Sequence, residues 1–251
     1  MKSIGITETY DPCFVPDWET RLLDANIIIS KELSDEMIEK LFITQDRVIF
    51  HHTVTGFGGS EFEPGVKTSE FEFAQFKKLI ERGFPISHYV LRVDPILCFS
   101  VEHMKKVLNV LDMWQEFMKT QDTKLRCRIS IVDMYDHVRK RIKEQINFDV
   151  PWPGFHADKV VFKYVNNKLK QYTDTFEFEA CAETQQRMPS DFIHYCGCAS
   201  FADLLILNKD VSEYGYPDKK QRQECQCLAK KQILGVKPGR CAHQCLYCFW
   251  K

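Results

Sequence analysis

The stretch RVIFHHTVTGFGGSEFEPG, residues 47–65, carries the pattern that decides the fold. Residues 47–55 are rich in β-branched and aromatic side chains, which predicts a strand, and glycines at 56, 58 and 59 end it. Ser69 and Glu72 then have the spacing of a capping box, which predicts a helix that runs to Glu81. A strand followed by a helix is the unit from which parallel sheets are built.

The same alternation continues outward in both directions from this stretch. Further strands are predicted over residues 3–9, 86–93, 125–132, 175–181 and 232–236, and helices over residues 17–25, 34–42, 104–118, 135–146 and 200–207. The prediction is therefore an α/β fold with a parallel sheet, either a barrel or a doubly wound sheet. Polar residues follow most of these strands, at the edge where such folds bind ligands.

Composition limits the function classes. The 251 residues carry 34 Lys and Arg against 35 Asp and Glu, a formal net charge of −1. This balance gives no support to a nucleic-acid or membrane-surface partner, although a nucleic acid is not excluded. The N-terminus has no apolar signal region, and no uncharged apolar run approaches the roughly 18 residues of a membrane span. We therefore expect a cytoplasmic, soluble protein.

Cysteine is unusually frequent and unevenly placed. The chain has 11 cysteines, and eight of them lie after residue 180. An odd count without a secretory signal favours metal or redox chemistry over disulfides. We therefore expect residues 1–180 to form an α/β barrel body, and residues 181–251 to form a cysteine-rich, metal-binding segment that completes the same domain.

The sequence RCAHQCLYCFWK near the C-terminus carries the strongest chemical signal. Cys241, Cys245 and Cys248 can reach three corners of one 4Fe–4S cluster, which leaves one iron open for a ligand. Zinc is the alternative, because Cys225, Cys227 and two of these three cysteines could form a four-thiolate site.

The pattern Cys-x3-Cys-x-aromatic-Cys, in which Tyr247 is the aromatic residue, resembles the signature of the radical S-adenosylmethionine (SAM) proteins. The resemblance implies an enzyme that uses the open iron to bind SAM. It implies formation of a 5′-deoxyadenosyl radical, which abstracts hydrogen from a substrate that the sequence does not identify. It also implies an electron donor such as flavodoxin or ferredoxin.

More of the chain resembles a bacterial family of unknown function that carries a radical-SAM-like motif at the C-terminus. The segment 55–65 is also distantly similar to the spore photoproduct lyase and DNA repair photolyase branch. Because the motif ends the chain, the resemblance implies a partial or circularly permuted TIM-like (β/α) barrel, in which residues 232–236 form the motif-bearing strand. The matching pieces are Arg92-x-Asp94-Pro95, Cys181-Ala182-Glu183, Cys196-x-Cys198, Lys209-Asp210, Gln221-Arg222-x2-Cys225-x-Cys227 and the terminal motif.

The resemblance also implies where SAM binds. Gly58 and Gly59 are expected near its methionyl end, with Glu61 as the carboxylate of a Gly-Gly-Glu-like strand end. Tyr247 is expected near the adenine. Glycines after a strand allow close approach of a ligand to the backbone, which agrees with this assignment.

The remaining tail cysteines predict a second metal site made of Cys181, Cys198, Cys225 and Cys227, with Cys196 as the alternate for Cys198. In an extended segment alternate residues point the same way, so the two sulfurs of Cys225-x-Cys227 can face one centre. Such a site could hold iron–sulfur or zinc. It also supports a different function, in which the chain is a non-catalytic binding protein stapled by zinc or an iron–sulfur cluster.

Overall fold

Eight short strands form one parallel sheet at the centre of the molecule. The structure, a computed structural model, describes residues 1–15, 17–215, 226–228, 230–235 and 241–249. The strands are β1 (Ile4–Ile6), β2 (Asn26–Ser30), β3 (Val48–Thr53), β4 (Tyr89–Ile96), β5 (Leu125–Ile131), β6 (Phe176–Ala180), β7 (Ile193–Tyr195) and β8 (Lys231–Ile233).

Helices connect most of these strands, and several begin at a side-chain cap. Ser34, Thr68 and Ser100 each accept a hydrogen bond from a backbone N–H of the first turn. None of the helices in the described ranges is long and apolar enough to cross a bilayer. The helices are α1 (Asp35–Ile43), α2 (Ser69–Glu81), α3 (Val101–Met118), α4 (Asp136–Ile146), α5 (Lys159–Leu169) and α6 (Phe201–Ile206).

The strand order follows the chain, except that β8 lies beside β1. The order is β7-β6-β5-β4-β3-β2-β1-β8, and every neighbouring pair is parallel. β7 and β8 are the two edges, and within the described residues they do not pair. The described residues therefore form an open eight-stranded sheet rather than the expected barrel. Six of its strands come from residues 1–180 and two from the cysteine-rich segment.

Both faces of the sheet are buried, as the near-continuous apolar strands require. The face under the helices packs into a large core that includes Phe50, Leu91 and Trp114. The opposite face, which we call the inner face, packs Ile27 and Ile49 against residues of α6 and against Leu228. The cysteine-rich segment thus covers the side of the sheet that the first five helices leave open.

The sequence prediction missed two strands and misplaced one element. Residues 17–25 form only a 3-10 turn at Trp18–Arg21, and the chain then enters β2. The three consecutive isoleucines of β2 favour a strand because β-branched side chains fit a pleated, buried surface. The other missed strand, β7, has only three residues, too few to show a periodic pattern.

Two further corrections concern helices. α2 begins where it was predicted, but its cap is Thr68 rather than Ser69. With Thr68 as the cap, Glu72 lies one position beyond the capping box, and its carboxylate turns inward to accept from the N–H of Leu33 and to bind the ring of His52. α5 was not predicted at all.

Candidate metal centres

The terminal loop, residues 241–249, lies against the loop that follows β3. The N–H of Gly65 donates to the carbonyl of His243 at 3.1 Å, and the N–H of Leu246 donates to the carbonyl of Phe62 at 2.9 Å. A Cβ at Gly65 would stand 2.2 Å from the carbonyl oxygen of Ala242. Glycine is therefore required at 65 for the two backbones to approach this closely.

A buried polar network lies at this contact. The ammonium of Lys31, just after β2, is 2.7 Å from the Glu63 carboxylate and 2.8 Å from the Tyr247 hydroxyl. Tyr247 also donates to Glu63, whose second oxygen accepts from the Thr55 hydroxyl at 2.7 Å. Burial opposes the charged form of Glu63, but Lys31 holds its pKa below the usual range. The network therefore joins the terminal motif to the carboxyl ends of β2 and β3 through an ion pair.

The thiols of the terminal motif lie beside this network. Burial raises the pKa of the Cys245 thiol to about 12, against the opposing effect of the nearby Lys31 ammonium. The charges of Cys248 and Cys241 also raise the pKa of Cys245. Within the described part of the chain, the three sulfurs do not form one of the groups whose ligand atoms lie within 4.8 Å of one another. A buried neutral thiol is a poor nucleophile but becomes a thiolate when it binds a metal. Metal binding therefore suits Cys245 better than nucleophilic catalysis.

Helix α4 holds the other side of the terminal loop. The guanidinium of Arg141 donates to the carbonyls of Leu246 and Cys248 at 2.9 and 2.8 Å. Arg141 belongs to a basic run of this helix and fixes the backbone of the cysteine motif.

One trio of potential ligands in the described residues is formed by Asp11, Cys13 and His243, whose ligand atoms lie within 4.8 Å of one another. The carboxylate of Asp11 already accepts four hydrogen bonds, from Ser30, the N–H groups of Cys13 and Lys31, and His243. Burial disfavours a charged His243, but Asp11 raises its pKa above the usual value. Within this trio, Asp11 and His243 form a buried ion pair that anchors the terminal loop.

The other trio is formed by Cys181, Cys198 and Cys227, whose sulfurs lie within 4.8 Å of one another. The sulfurs of Cys181 and Cys198 are 3.0 Å apart, and Cys227 accepts a hydrogen bond from the N–H of Cys198 at 3.1 Å. The three residues form a small cluster of their own rather than part of either apolar core. Thiols gathered in this way can hold a metal ion.

Two cationic side chains, Lys31 and Arg92, interact electrostatically with cysteines of both groups. The charge of Arg92 acts on Lys31, and the cysteines 181 and 198 act in turn on Arg92. Lys31 also interacts with Cys245. Both cations are already paired with a carboxylate, Lys31 with Glu63 and Arg92 with Asp94.

The structure places the remaining predicted site residues as follows. Gly58 and Gly59 shape the turn beside the motif: a Cβ at Gly58 would stand 1.8 Å from the carbonyl oxygen of Lys67, and Gly59 has a φ of +76°. Glu61 is exposed on this turn. Cys196 contacts the guanidinium of Arg128 at 3.5 Å. Cys225 lies outside the described residues.

Sequence reasoning did not identify the groups that hold the motif in place. The carboxylate that contacts Tyr247 is that of Glu63, two residues after Glu61, which was predicted as the carboxylate of the SAM site. Lys31 and Asp11 come after the ends of β2 and β1. Their position after a strand is the one sequence signal that could have marked them as candidate site residues. His243 lies inside the motif, but its partner is 232 positions away in the chain.

The family profile described as a domain of unknown function, DUF1848, matches residues 17–250. No curated protein and no solved structure matches the chain significantly. The matched range includes the sheet from β2 onward, the Cys181 trio and the three cysteines of the terminal motif. The chain therefore belongs to the DUF1848 family.

Proposed function

We propose that this chain is an iron–sulfur protein of the radical SAM type, with one 4Fe–4S cluster held by Cys241, Cys245 and Cys248. The observation that carries the proposal is the position of the terminal loop at the carboxyl ends of β2 and β3, where α/β folds bind their ligands. The donor set suits the group, since three thiols lie within eight residues of the chain and thiolates are the usual ligands of iron–sulfur clusters.

The strand order supports the same proposal. β8 precedes the terminal motif in the chain and lies beside β1, so the motif follows a strand that precedes β1 in the sheet. A radical SAM barrel begins with its motif-bearing strand. A sheet ordered β8-β1-β2 and onward is what a circular permutation of such a barrel would produce. The permuted, incomplete barrel is thus part of the proposal.

When bound, a cluster with an open iron supplies the electron that cleaves the SAM sulfonium. The protein's own groups would position the cofactor and exclude water. Tyr247, Gly58 and Gly59 stay the proposed SAM contacts, and Glu61 stays the proposed carboxylate. Glu63 supports the motif, because its two oxygens are engaged by Lys31, Tyr247 and Thr55.

The chemistry requires two partners. An electron donor such as flavodoxin or ferredoxin would reduce the cluster, and a substrate would give up a hydrogen atom. The net charge of −1 does not favour nucleic acid over small molecules.

The test is anaerobic purification and reconstitution with iron and sulfide. We expect about four irons per chain and an absorption band near ~400 nm from thiolate–iron charge transfer. Calorimetry should detect SAM binding only to the cluster-loaded protein, and dithionite should then release 5′-deoxyadenosine. The variant Cys245→Ala should lose the cluster, whereas the control Cys98→Ala, in the apolar core, should keep it. A cluster-loaded protein that does not bind SAM would refute the radical mechanism.

A second candidate function is a metal-stapled binding protein without catalysis. The close spacing of the Cys181 trio favours it, because that geometry suits a structural ion. The same experiment separates the candidates. Protein that contains zinc but no iron after anaerobic reconstitution would favour the staple alone.

A further inference from the structure

We propose that Cys181, Cys198 and Cys227 bind a single metal ion of the zinc class, at a site separate from the terminal motif. A zinc–thiolate bond of about 2.3 Å in tetrahedral geometry puts neighbouring sulfurs roughly 3.8 Å apart. The sulfurs of the trio lie within 4.8 Å of one another, and those of Cys181 and Cys198, 3.0 Å apart, would separate by less than 1 Å to bind one ion. In a 4Fe–4S cluster each thiolate binds a different iron, which keeps the sulfurs farther apart. The spacing therefore favours one ion over a cluster.

The backbone brings Cys198 and Cys227 together without a metal. A Cβ at Gly197 would stand 2.4 Å from the backbone nitrogen and Cα of Cys227, so only glycine lets the two segments touch. On the other side of Cys198, the N–H of Leu228 donates to the carbonyl of Ala199 at 2.9 Å. The N–H of Cys198 donates to the Cys227 sulfur, as backbone donors commonly do around metal-bound thiolates. The site is therefore preorganised.

The guanidinium groups of Arg92 and Arg128 interact with cysteines of this segment, and each is already paired with a carboxylate, that of Asp94 and that of Glu179. The charges of Cys198 and Cys181 act on Arg92, after the effects of burial and of Asp94. Arg128, fully buried, donates to the carbonyl of Gly197 at 2.6 Å and contacts the Cys196 sulfur at 3.5 Å. Cys196 is thereby engaged outside the trio. Three thiolates leave one of the four positions of a tetrahedral ion for a further ligand.

The three ligands come from chain segments next to the two edges of the sheet. Cys181 follows β6, Cys198 follows the edge strand β7, and Cys227 precedes the edge strand β8. An ion bound here would connect the segment that leaves β7, at one edge of the sheet, to the segment that leads into β8, at the other edge. It would also hold in place the segment that covers the inner face, which includes Ala199 and Leu228. The inferred role of the ion is a structural staple.

The experiment uses full-length protein in which Cys241, Cys245 and Cys248 are all replaced by Ser. Mass-spectrometric metal analysis should find about one zinc per chain, because the trio is intact. Adding Cys181→Ser, Cys198→Ser and Cys227→Ser should reduce the zinc content at least tenfold. About four irons per chain retained by the terminal-motif variant would overturn the single-ion proposal, as would the absence of any metal or a Cys181–Cys198 disulfide in peptide mapping.

A second measurement covers the case in which the terminal-motif variant does not fold. Wild-type protein loaded with Co²⁺ at the zinc site should show the intense visible bands of a tetrahedral thiolate complex, and the Cys181/Cys198/Cys227 variant should not. Bands of equal intensity in both proteins would refute the site. Zinc content reports on the trio and iron content on the terminal motif, so failure of this inference and failure of the proposed function give different results.

Discussion

The hydroxyl of Tyr247 donates a hydrogen bond to the carboxylate of Glu63, and Lys31 bonds to both groups. Tyr247 lies between the last two cysteines of the terminal motif, whereas Glu63 lies in the loop after β3. A residue of the motif is thus bound to a buried ion pair at the carboxyl ends of the strands. The position of the motif over the sheet depends on this pair.

The first prediction concerns Glu63→Gln. The change leaves the Lys31 ammonium without its charged partner in a mostly buried place, which costs about 3–5 kcal/mol of unfolding free energy for a buried pair. Urea denaturation should show this loss, and reconstituted protein should hold less iron. The matched control is Glu61→Gln on the same turn, where an exposed side chain should change the free energy by no more than ~0.5 kcal/mol. Equal effects of the two changes would show that the ion pair does not matter.

The second prediction concerns the contact of Gly65 with the terminal loop. In Gly65→Ala the new methyl group meets the Ala242 carbonyl at 2.2 Å, so the loop must move away. Overpacking of this kind costs about 1–3 kcal/mol. Limited proteolysis should cut the variant faster near its C-terminus. Gly154→Ala is the control, since the nearest atom to its Cβ is 3.4 Å away; a digestion pattern for Gly65→Ala that matches this control would contradict the role of Gly65.

The third prediction concerns Arg141 on α4. Arg141→Met removes the donors to the carbonyls of Leu246 and Cys248, and hydrogen bonds from a charged donor contribute about 1.5–3 kcal/mol each. A reconstituted cluster should therefore be lost several times faster to a chelator. Lys140→Met, an exposed change one position earlier, keeps both hydrogen bonds and should lose the cluster at the wild-type rate. If Arg141→Met also loses the cluster at the wild-type rate, Arg141 does not stabilise the terminal loop.

The fourth prediction concerns acid stability. His51 is fully buried on β3, and within the described residues neither ring nitrogen has a hydrogen-bond partner. Burial and then the charges of Arg128, Arg92 and Arg126 hold its pKa well below 6.5. The folded state therefore binds fewer protons than the unfolded state, in which histidine has a pKa near ~6.5. Stability from this group is complete above that pH and falls as the pH drops below it.

Replacing the imidazole ring tests the predicted direction of this pH dependence. His51→Leu should flatten the decrease of unfolding free energy between about pH 6.5 and pH 5 by up to ~1.4 kcal/mol per pH unit. The control His194→Leu removes an exposed ring from β7 and should leave the slope unchanged. If His51→Leu keeps the wild-type slope in denaturation curves across this range, the buried ring is not the titrating group.

Much of the fold could be read from local patterns. The strands around 48–53, 89–96 and 125–131, and the helix that ends at Met118, follow runs or periodicities long enough to indicate their type. β2 and β7 were missed because a short strand gives little periodic signal, and β2 follows a segment that looks helical. The capping residue of α2 differed by one position because both Thr68 and Ser69 are suitable caps, and it is the Thr68 hydroxyl that accepts from the N–H of Phe71.

The sequence by itself determined that the chain is α/β and that its cysteines gather in the last third, with three at the spacing of an iron–sulfur motif. These features are local, because composition, periodicity and spacing lie within short windows. Only the tertiary structure decided that β8 lies beside β1 and that Glu63 rather than Glu61 meets Tyr247. It also brings the sulfurs of Cys181, Cys198 and Cys227 within 4.8 Å of one another, a group that the sequence had predicted together with Cys225. Those relationships join residues far apart in the chain, and the packing of a parallel sheet, whose strand ends meet at one edge, brings them together.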